Sequence, residues 1–595
     1  MRDRQYRGRL TARLGWLRTA AQLALILILA GYARVQVVEG SYYREMAESN
    51  RLRKLAIQAP RGLIVDRDRR ALVENVPSYV LTLDRSISRD LDESVAFAAQ
   101  ILGSDSGELG EILAEAKSTP SFQPVLIAED LTLQQIARFS VAQLEHPEFG
   151  VEVEHLRLYR HAHQTAHVLG YVGEASRNQV ASGLYKAGDR VGKKAVERVY
   201  DDVLRGVDGE QVVVVDSRGR VIEDEERSAA LPGEDLVLTL DLRLQQTAAR
   251  LLEDKVGAIV ALDPKTGDVL AMASSPSFDP NLFARELRRE DWRALVDHPD
   301  HPLQNRALQN QYPPGSIFKI VLALAGLEEG VITPETTVTC TGSTTIYNHR
   351  YRCWKPGGHG RVDLHAAIRG SCNNYFHELG RDLGIDAIAR YAKLLGLGSP
   401  TGIEVGEEKP GLVPTEIWSR EVRGQPWYPG ETISVAIGQG PILVTPLQMA
   451  AFISRVAAGG RAVRPRLALR TPVAVGPAPA EISRESFEIV RRGLWGVVNE
   501  DKGTARQARV EGHDVAGKTG TAQVIAHARR LETEEQAEEF RTHAWFASFA
   551  PVDDPQLAVA IFLEHGGAGS SAAAPLAKVL YEKFFESDLA HRTAQ

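Results

Sequence analysis

The pattern of apolar and polar positions divides the chain into three unequal parts. Only "TAAQLALILILAGYA" (19–33) is both free of charge and apolar for long enough to approach a membrane span. Arg18 and Arg34 can reach outward to the interface, which extends the candidate segment to Leu14–Val38. Arg2, Arg4, Arg7, Arg9, Arg13 and Arg18 precede or begin it against one acid, Asp3. That asymmetry predicts an uncleaved anchor with a cytoplasmic N-terminus and the remaining chain on the far side of the membrane. A cleaved signal peptide ending at Gly31-Tyr32-Ala33 is the competing reading. From residue 39 to about 230, short strand-like runs alternate with helical ones. "RGLIVDRDRRALVENVPSYVLTLD" (61–84) predicts two strands around a polar turn, and "SGELGEILAEAK" (106–117) a helix. Residues 192–222 predict a helix and then a hairpin turning at Asp216-Ser217-Arg218-Gly219. A second domain opens near Pro232-Gly233-Glu234, and "GAIVALDPKTGDVLAMASSPSF" (257–278) predicts a hairpin turning at Pro264-Lys265-Thr266-Gly267.

One residue breaks the pattern. In "QYPPGSIFKIVLALAGLEEG" (311–330), Pro313-Pro314-Gly315-Ser316 starts a helix that is apolar on nearly every face, yet Lys319 sits in its first turn. The helix dipole and burial both oppose a cation there. Ser316 and Lys319 are i and i+3, so their side chains share a face. A serine hydroxyl becomes a useful nucleophile when an adjacent base takes its proton, and a lysine is such a base only when neutral. The features that oppose charge on Lys319 are therefore those that bring its pKa into working range. The alternative is a plain N-cap serine beside a surface lysine.

Composition narrows the class. A chain of 595 residues implies two to four domains, and 44% hydrophobic with 25% charged residues is ordinary globular protein. A net charge of −7 gives no reason to expect nucleic acid. His155, His161, His163 and His167 cluster in sequence without a carboxylate in register, which favours solvated or packed histidines over a metal site.

Downstream of Ser316 lie Ser371-Cys372-Asn373, in "AAIRGSCNNYFHELG", and Lys518-Thr519-Gly520-Thr521, on the strand "HDVAGKTGTAQV" (513–524). Each motif is weak alone; in this order and context they are specific. The set resembles the penicillin-interacting active-serine enzymes, with their S-x-x-K, S-x-N and K-T-G motifs. "RGLIVDRDRRAL", "AHVLGYVG" (166–173), "RYRCWKPGGHG" (350–360), "WYPGETISVAIGQG" (427–440), "TPLQMA" (445–450) and "HAWFASFAP" (543–551) extend the resemblance to class B penicillin-binding proteins, of the elongation type called penicillin-binding protein 2. Two features depart from it: Tyr159-Arg160-His161-Ala162 replaces a Tyr-Pro-x-Gly turn, and an acidic insert, "LETEEQAEEF" (531–540), follows the K-T-G strand.

The resemblance implies a mixed α/β (α+β) fold: a cytoplasmic tail (1–13), a transmembrane anchor (14–38), a β-rich pedestal of dimerisation type (39–230), a transpeptidase domain (231–586) and a short tail (587–595). In the transpeptidase domain an antiparallel sheet flanked by helices would accompany an all-helical subdomain. The implied activity is a peptidoglycan D,D-transpeptidase of cell-wall elongation, acylated by β-lactams. In it Ser316 is the nucleophile, Lys319 the base, Asn373 a partner of the lysine and the substrate, and Ser371 the proton relay. Lys518 would lower the pKa of Lys319 by like charge and attract the substrate carboxylate, which Thr519 and Thr521 hydrogen-bond. Gly520 would admit the substrate backbone, and the N–H groups of Ser316 and Thr521 would hold the oxyanion. Implied partners are stem peptides, the cytoplasmic membrane, a separate SEDS-type glycosyltransferase and elongation-complex proteins. A D,D-carboxypeptidase or β-lactamase, or a non-catalytic drug sensor or scaffold, would share the motifs.

Cysteine arithmetic adds one expectation. Cys340, Cys353 and Cys372 are the only cysteines, an odd number in a chain expected outside the cytoplasm. With His359 they form a donor set for a closed, structural tetrahedral zinc site. A Cys340–Cys353 disulfide with Cys372 buried, or three inert packed thiols, are the alternatives.

Overall fold

A computed structural model describes residues 2–116, 124–186, 188–215, 221–285, 287–523 and 541–593. The hairpin tip expected at 216–219 and the acidic insert 531–540 lie outside the described residues. Arg2–Ala33 is a continuous helix ending in a π-helical turn, Arg34–Val38. Within it Arg13–Val38, with mean hydropathy 1.7, is long and apolar enough to cross a membrane. Leu23, Ile26, Leu27 and Leu29 on this helix are all exposed, as side chains facing lipid would be.

The rest forms two compact units that interleave along the chain. The first comprises residues 1–60, 77–154 and 206–233; the second comprises 61–76, 155–205 and 234–595. In the first, the helix Leu91–Leu102 starts where the Asp90 carboxylate accepts the N–H groups of Asp92 and Glu93, and it stops at Gly103, whose φ of 74° reverses the chain. It packs with Ser106–Glu115 around Leu81, Ile101, Leu109, Phe139 and Phe149. Leu52–Ile57, Gly209–Val215 and Val221–Ser228 form an antiparallel ribbon.

The 61–76 and 155–205 segments, which in sequence belong to the expected pedestal, group by their packing with the second unit. A buried ion cluster ties them together. Glu197 is wholly buried, 2.7 Å from the Arg61 guanidinium and 2.8 Å from Arg157 Nε, and Arg61 also lies 2.8 Å from Asp201. Burial alone would raise the Glu197 pKa, but Arg157 and Arg61 outweigh it and hold the carboxyl below its usual range. The two expected strands around a polar turn are Ile64–Val65 and Ala71–Leu83, with Asp66 Oδ1 accepting the N–H groups of Asp68 and Arg70 in the turn. His167 is buried and packs edge-on against Phe278 at 5.3 Å.

The second unit is built on five strands: β1 (Gly257–Leu262), β2 (Val269–Ser275), β3 (Ala516–Ala522), β4 (His543–Ala550) and β5 (Leu557–Leu563). Their order is β2-β1-β5-β4-β3 and every pairing is antiparallel. Every residue of β1, β2 and β5 is buried, which explains runs such as "GAIVAL" and "LAVAIFL" that do not alternate with polar residues. Leu242–Leu251, Pro446–Ala457 and Ala574–Thr593 pack on the sheet, and the last runs on into the residues expected to be a tail. A helical layer of Lys319–Glu328, Leu364–Arg369, Asn373–Leu394 and Arg484–Asn499 carries two of the three motifs or their flanks. The third lies on β3, at the end of the sheet.

Candidate active site

The serine turn is shaped by its glycine. Gly315 has φ of 56° and donates its N–H to Gly438 O at 2.9 Å, which turns the chain from Pro313-Pro314 into a 3-10 turn, Gly315–Phe318. The α-helix proper begins at Lys319 and is buried from Lys319 through Gly326. In a 3-10 turn, residues i and i+3 eclipse, so Ser316 and Lys319 are aligned more strictly than α-helical spacing would give. Among the described residues the Ser316 hydroxyl makes no hydrogen bond and caps nothing. That sets aside the reading of Ser316 as a plain N-cap, and burial sets aside Lys319 as a surface lysine. Trp545 Nε1 on β4 donates to Pro313 O at 3.0 Å and fastens the turn to the sheet.

Lys319 is 1% exposed. Its Nζ donates to Asn373 Oδ1 at 2.7 Å, Ser371 O at 2.9 Å and Ser371 Oγ at 3.2 Å, with the Phe376 ring centroid 5.5 Å away. Burial pushes this amine down to about 8, with the Cys372 and Cys353 sulfurs drawing it partly back. Lys518 is fully buried beside it; burial, and then the charge of Lys319, push its amine well below the ordinary range. The repulsion between the two amines is mutual; Lys518 Nζ has one carbonyl acceptor, Thr519 O at 3.2 Å, against three acceptors for Lys319.

Ser371 stands at φ of 53°, a left-handed conformation that non-glycine residues rarely keep without support. The support comes from both sides. Trp354 Nε1 donates to Ser371 O at 3.1 Å and to Gly370 O at 3.2 Å, so the carbonyl that receives Lys319 also receives the indole. Asn373 Nδ2 reaches back to Arg352 O at 3.3 Å.

On β3, Lys518 and Gly520 face one way, Thr519 and Thr521 the other. A Cβ at Gly520 would lie 2.8 Å from Pro314 O, so the glycine is needed for the serine turn to seat against the strand rather than for the substrate backbone expected there. Thr519 is buried, with its hydroxyl 3.0 Å from that of Thr504; Thr521 is exposed. A Cβ at Gly315 would lie 3.0 Å from Thr521 N and 2.9 Å from Thr521 O. The backbone of Thr521 therefore borders the turn that carries Ser316.

Cys340, Cys353 and Cys372 are buried free thiols, and with His359 they place four ligand atoms within 4.8 Å of one another. His359 Nδ1 is 3.6 Å from Cys340 Sγ and 3.5 Å from Cys353 Sγ. The proximity of the Cys353 and Cys372 sulfurs holds the Cys353 pKa down and pushes that of Cys372 up. The loop closes because Val338–Cys340 pairs with Gly360–Val362 and because Gly358, at φ of 71°, lies where a Cβ would meet Cys340 O at 2.1 Å. Four soft or borderline donors, mutually close, with the three thiols buried and the imidazole half-buried, fit a tetrahedral zinc ion.

Trp354 and Thr504 were not singled out from the sequence. Trp354 lies inside "RYRCWKPGGHG", next to a candidate ligand, and an exposed tryptophan there was the signal. Thr504 stands in no motif; only folding brings it to Thr519.

Comparison with known proteins agrees with this geometry. Residues 257–582 match the penicillin binding protein transpeptidase domain, and residues 56–238 the penicillin-binding protein dimerisation domain. The chain is 35% identical to a peptidoglycan D,D-transpeptidase MrdA of Haemophilus influenzae, across 99% of this chain and 94% of that one. It superposes on penicillin-binding protein 2 of Helicobacter pylori, solved in complex with MreC, with TM-score 0.81 and 28% identity over 89% of this chain and 99% of that one. A chain of a peptidoglycan synthase complex, solved in a study of how polymerization and crosslinking are coordinated, gives TM-score 0.72 and 34% identity over 96% of this chain and 98% of its own.

Proposed function

This chain belongs to the penicillin-binding protein 2 family of peptidoglycan D,D-transpeptidases, and on that premise we propose that Ser316 carries the cross-linking chemistry through an acyl-enzyme. Neutral Lys319 takes the Ser316 hydroxyl proton as Oγ attacks the penultimate carbonyl of a D-Ala–D-Ala stem peptide. The N–H groups of Ser316 and Thr521 receive the developing oxyanion. The C–N bond breaks, Ser371 passes the proton from Lys319 to the departing D-alanine nitrogen, and an ester on Ser316 remains. An amine of a second stem peptide then attacks the ester, forms the cross-link and frees Ser316. Thr519 and Thr521 hydrogen-bond the substrate carboxylate, which Lys518 attracts by charge and which in turn favours the protonated form of Lys518. β-Lactams would acylate the same oxygen.

The observation that carries this reading is the Lys319 amine, buried and held 2.7 Å from Asn373 Oδ1 and 3.2 Å from Ser371 Oγ, one 3-10 turn from Ser316. The test is to supply stem-peptide substrate and count products. Cross-linked peptide with equimolar D-alanine supports the transferase; D-alanine with only trimmed peptide makes the chain a hydrolase; no turnover makes it a sensor.

Cys340, Cys353, His359 and Cys372 are proposed to hold one structural zinc ion. When bound, zinc would brace the loop that carries Trp354 and Ser371, and with four protein ligands it would offer no open position.

The Arg13–Val38 helix is proposed to anchor the chain in the cytoplasmic membrane with its N-terminus inside and the chain beyond Val38 outside. Protease added outside should then cut beyond the anchor; protection of the K-T-G region would reverse the topology. The relatives solved with MreC and in a synthase complex support elongation-complex proteins and a separate glycosyltransferase as partners.

A further inference from the structure

Strand β3 ends the sheet, so among the described residues one of its edges pairs with no strand. The N–H and carbonyl of a strand residue point to the same side, and those of Thr521 both face the serine turn. They therefore lie on the edge where an added peptide would pair. The Thr521 carbonyl already accepts one hydrogen bond there. Gln439 Nε2 donates to it at 3.1 Å, while Gln439 Oε1 accepts the Gln523 N–H at 3.3 Å. The side-chain carboxamide thus supplies, at that edge, the donor and acceptor that a peptide group of an added strand would supply.

Gln439 is not placed there by a mobile loop. Its neighbour Gly438 stands at φ of 72° and accepts the Gly315 N–H at 2.9 Å. A Cβ at Gly438 would lie 2.0 Å from Gly315 O, so the two backbones touch. The residue that covers the Thr521 carbonyl is thereby fixed to the turn that carries the nucleophile.

We propose that Gln439 is a specificity-determining gate: its carboxamide stands at the edge where the donor amide next to the reacting carbonyl would pair, and it competes with that amide N–H for Thr521 O. The inference rests on the proposed role of Ser316 and Thr521 and adds to it. A ligand whose carbonyl sits between the Ser316 and Thr521 N–H groups brings its adjacent amide against Thr521 O. The amide then competes with Gln439 for that carbonyl, which lessens the net advantage of carrying it. A ligand with no such N–H leaves Gln439 in place. Removing the gate should raise the advantage of the amide by about the weight of one neutral hydrogen bond, roughly two- to tenfold in rate.

The experiment compares second-order acylation rate constants for benzylpenicillin, which has an acylamino N–H beside its β-lactam carbonyl, and for a carbapenem, which has none. Full-length wild type, Gln439→Ala and Gln439→Met are used; methionine keeps the bulk and removes the donor. The benzylpenicillin-to-carbapenem ratio should rise about two- to tenfold in both variants, a change that mere loosening of the turn would not produce because it would slow both ligands alike. If either folded variant keeps the wild-type ratio, or if the ratio falls, the gate is wrong while the Ser316 reading stands. A wild-type chain acylated by neither ligand overturns both.

Discussion

Asn373 Oδ1 lies 2.7 Å from Lys319 Nζ, the shortest of the three hydrogen bonds that hold a buried amine near a 3-10 serine. A neutral amide accepts from the lysine without favouring its charged form as a carboxylate would. With the Lys319 pKa pushed down to about 8 by burial, the neutral base grows as pH rises, so acylation should climb through that region and level above it. Asn373→Asp should move the climb to higher pH, because an adjacent carboxylate stabilises the ammonium. Lys319→Ala should slow acylation by ~10²–10⁴ at any pH. Stopped-flow acylation across pH checks all three; a flat wild-type profile would contradict the base assignment.

Trp354 shares the Ser371 carbonyl with Lys319. Trp354→Phe keeps the ring and removes the N–H donor, leaving the strained Ser371 held from one side. A loss of about two- to tenfold in acylation rate is expected, the range of one hydrogen bond, with metal content unchanged. Phenylalanine acting as wild type would show the indole N–H to be idle.

Chain purified without a histidine tag should carry about one zinc, the stoichiometry of a single closed four-ligand site. Cys353→Ser and His359→Ala should each lose the metal and unfold at lower temperature, since binding free energy at such a site is folding free energy. Elemental analysis and thermal scans check this. A metal-free, fully active wild type would leave the four residues as packed thiols and a histidine.

Glu197→Gln should destabilise the second unit by about 3–5 kcal/mol, because it strips the charge from a buried group that two guanidiniums face. The depressed carboxyl makes the cluster's contribution present at neutral pH and lost as pH falls below the usual glutamate range. Denaturant unfolding at pH 7 measures it; a variant as stable as wild type would mean the cluster adds nothing.

The three motifs were legible because each is local: a few adjacent residues carry a turn, a strand or a helix start with its chemistry. The cysteine set was legible by counting, since three thiols and a histidine within 33 residues have few uses. What stayed hidden depends on distant pairings. Arg61, Arg157 and Glu197 meet only after folding. Gly520 was read as room for substrate, but its neighbour, Pro314 O, lies two hundred residues earlier in the chain. The acceptors that surround the two buried lysines, three for Lys319 and one for Lys518, are brought together by folding and no spacing reveals them.

The central claim is that Ser316 is the acylated oxygen, and intact-protein mass spectrometry after exposure to benzylpenicillin tests it most directly. One penicilloyl adduct per chain, mapped by proteolysis to the peptide containing Ser316 and absent from a folded Ser316→Ala variant, is the expected result. An adduct on another residue, or full labelling of Ser316→Ala, would contradict it.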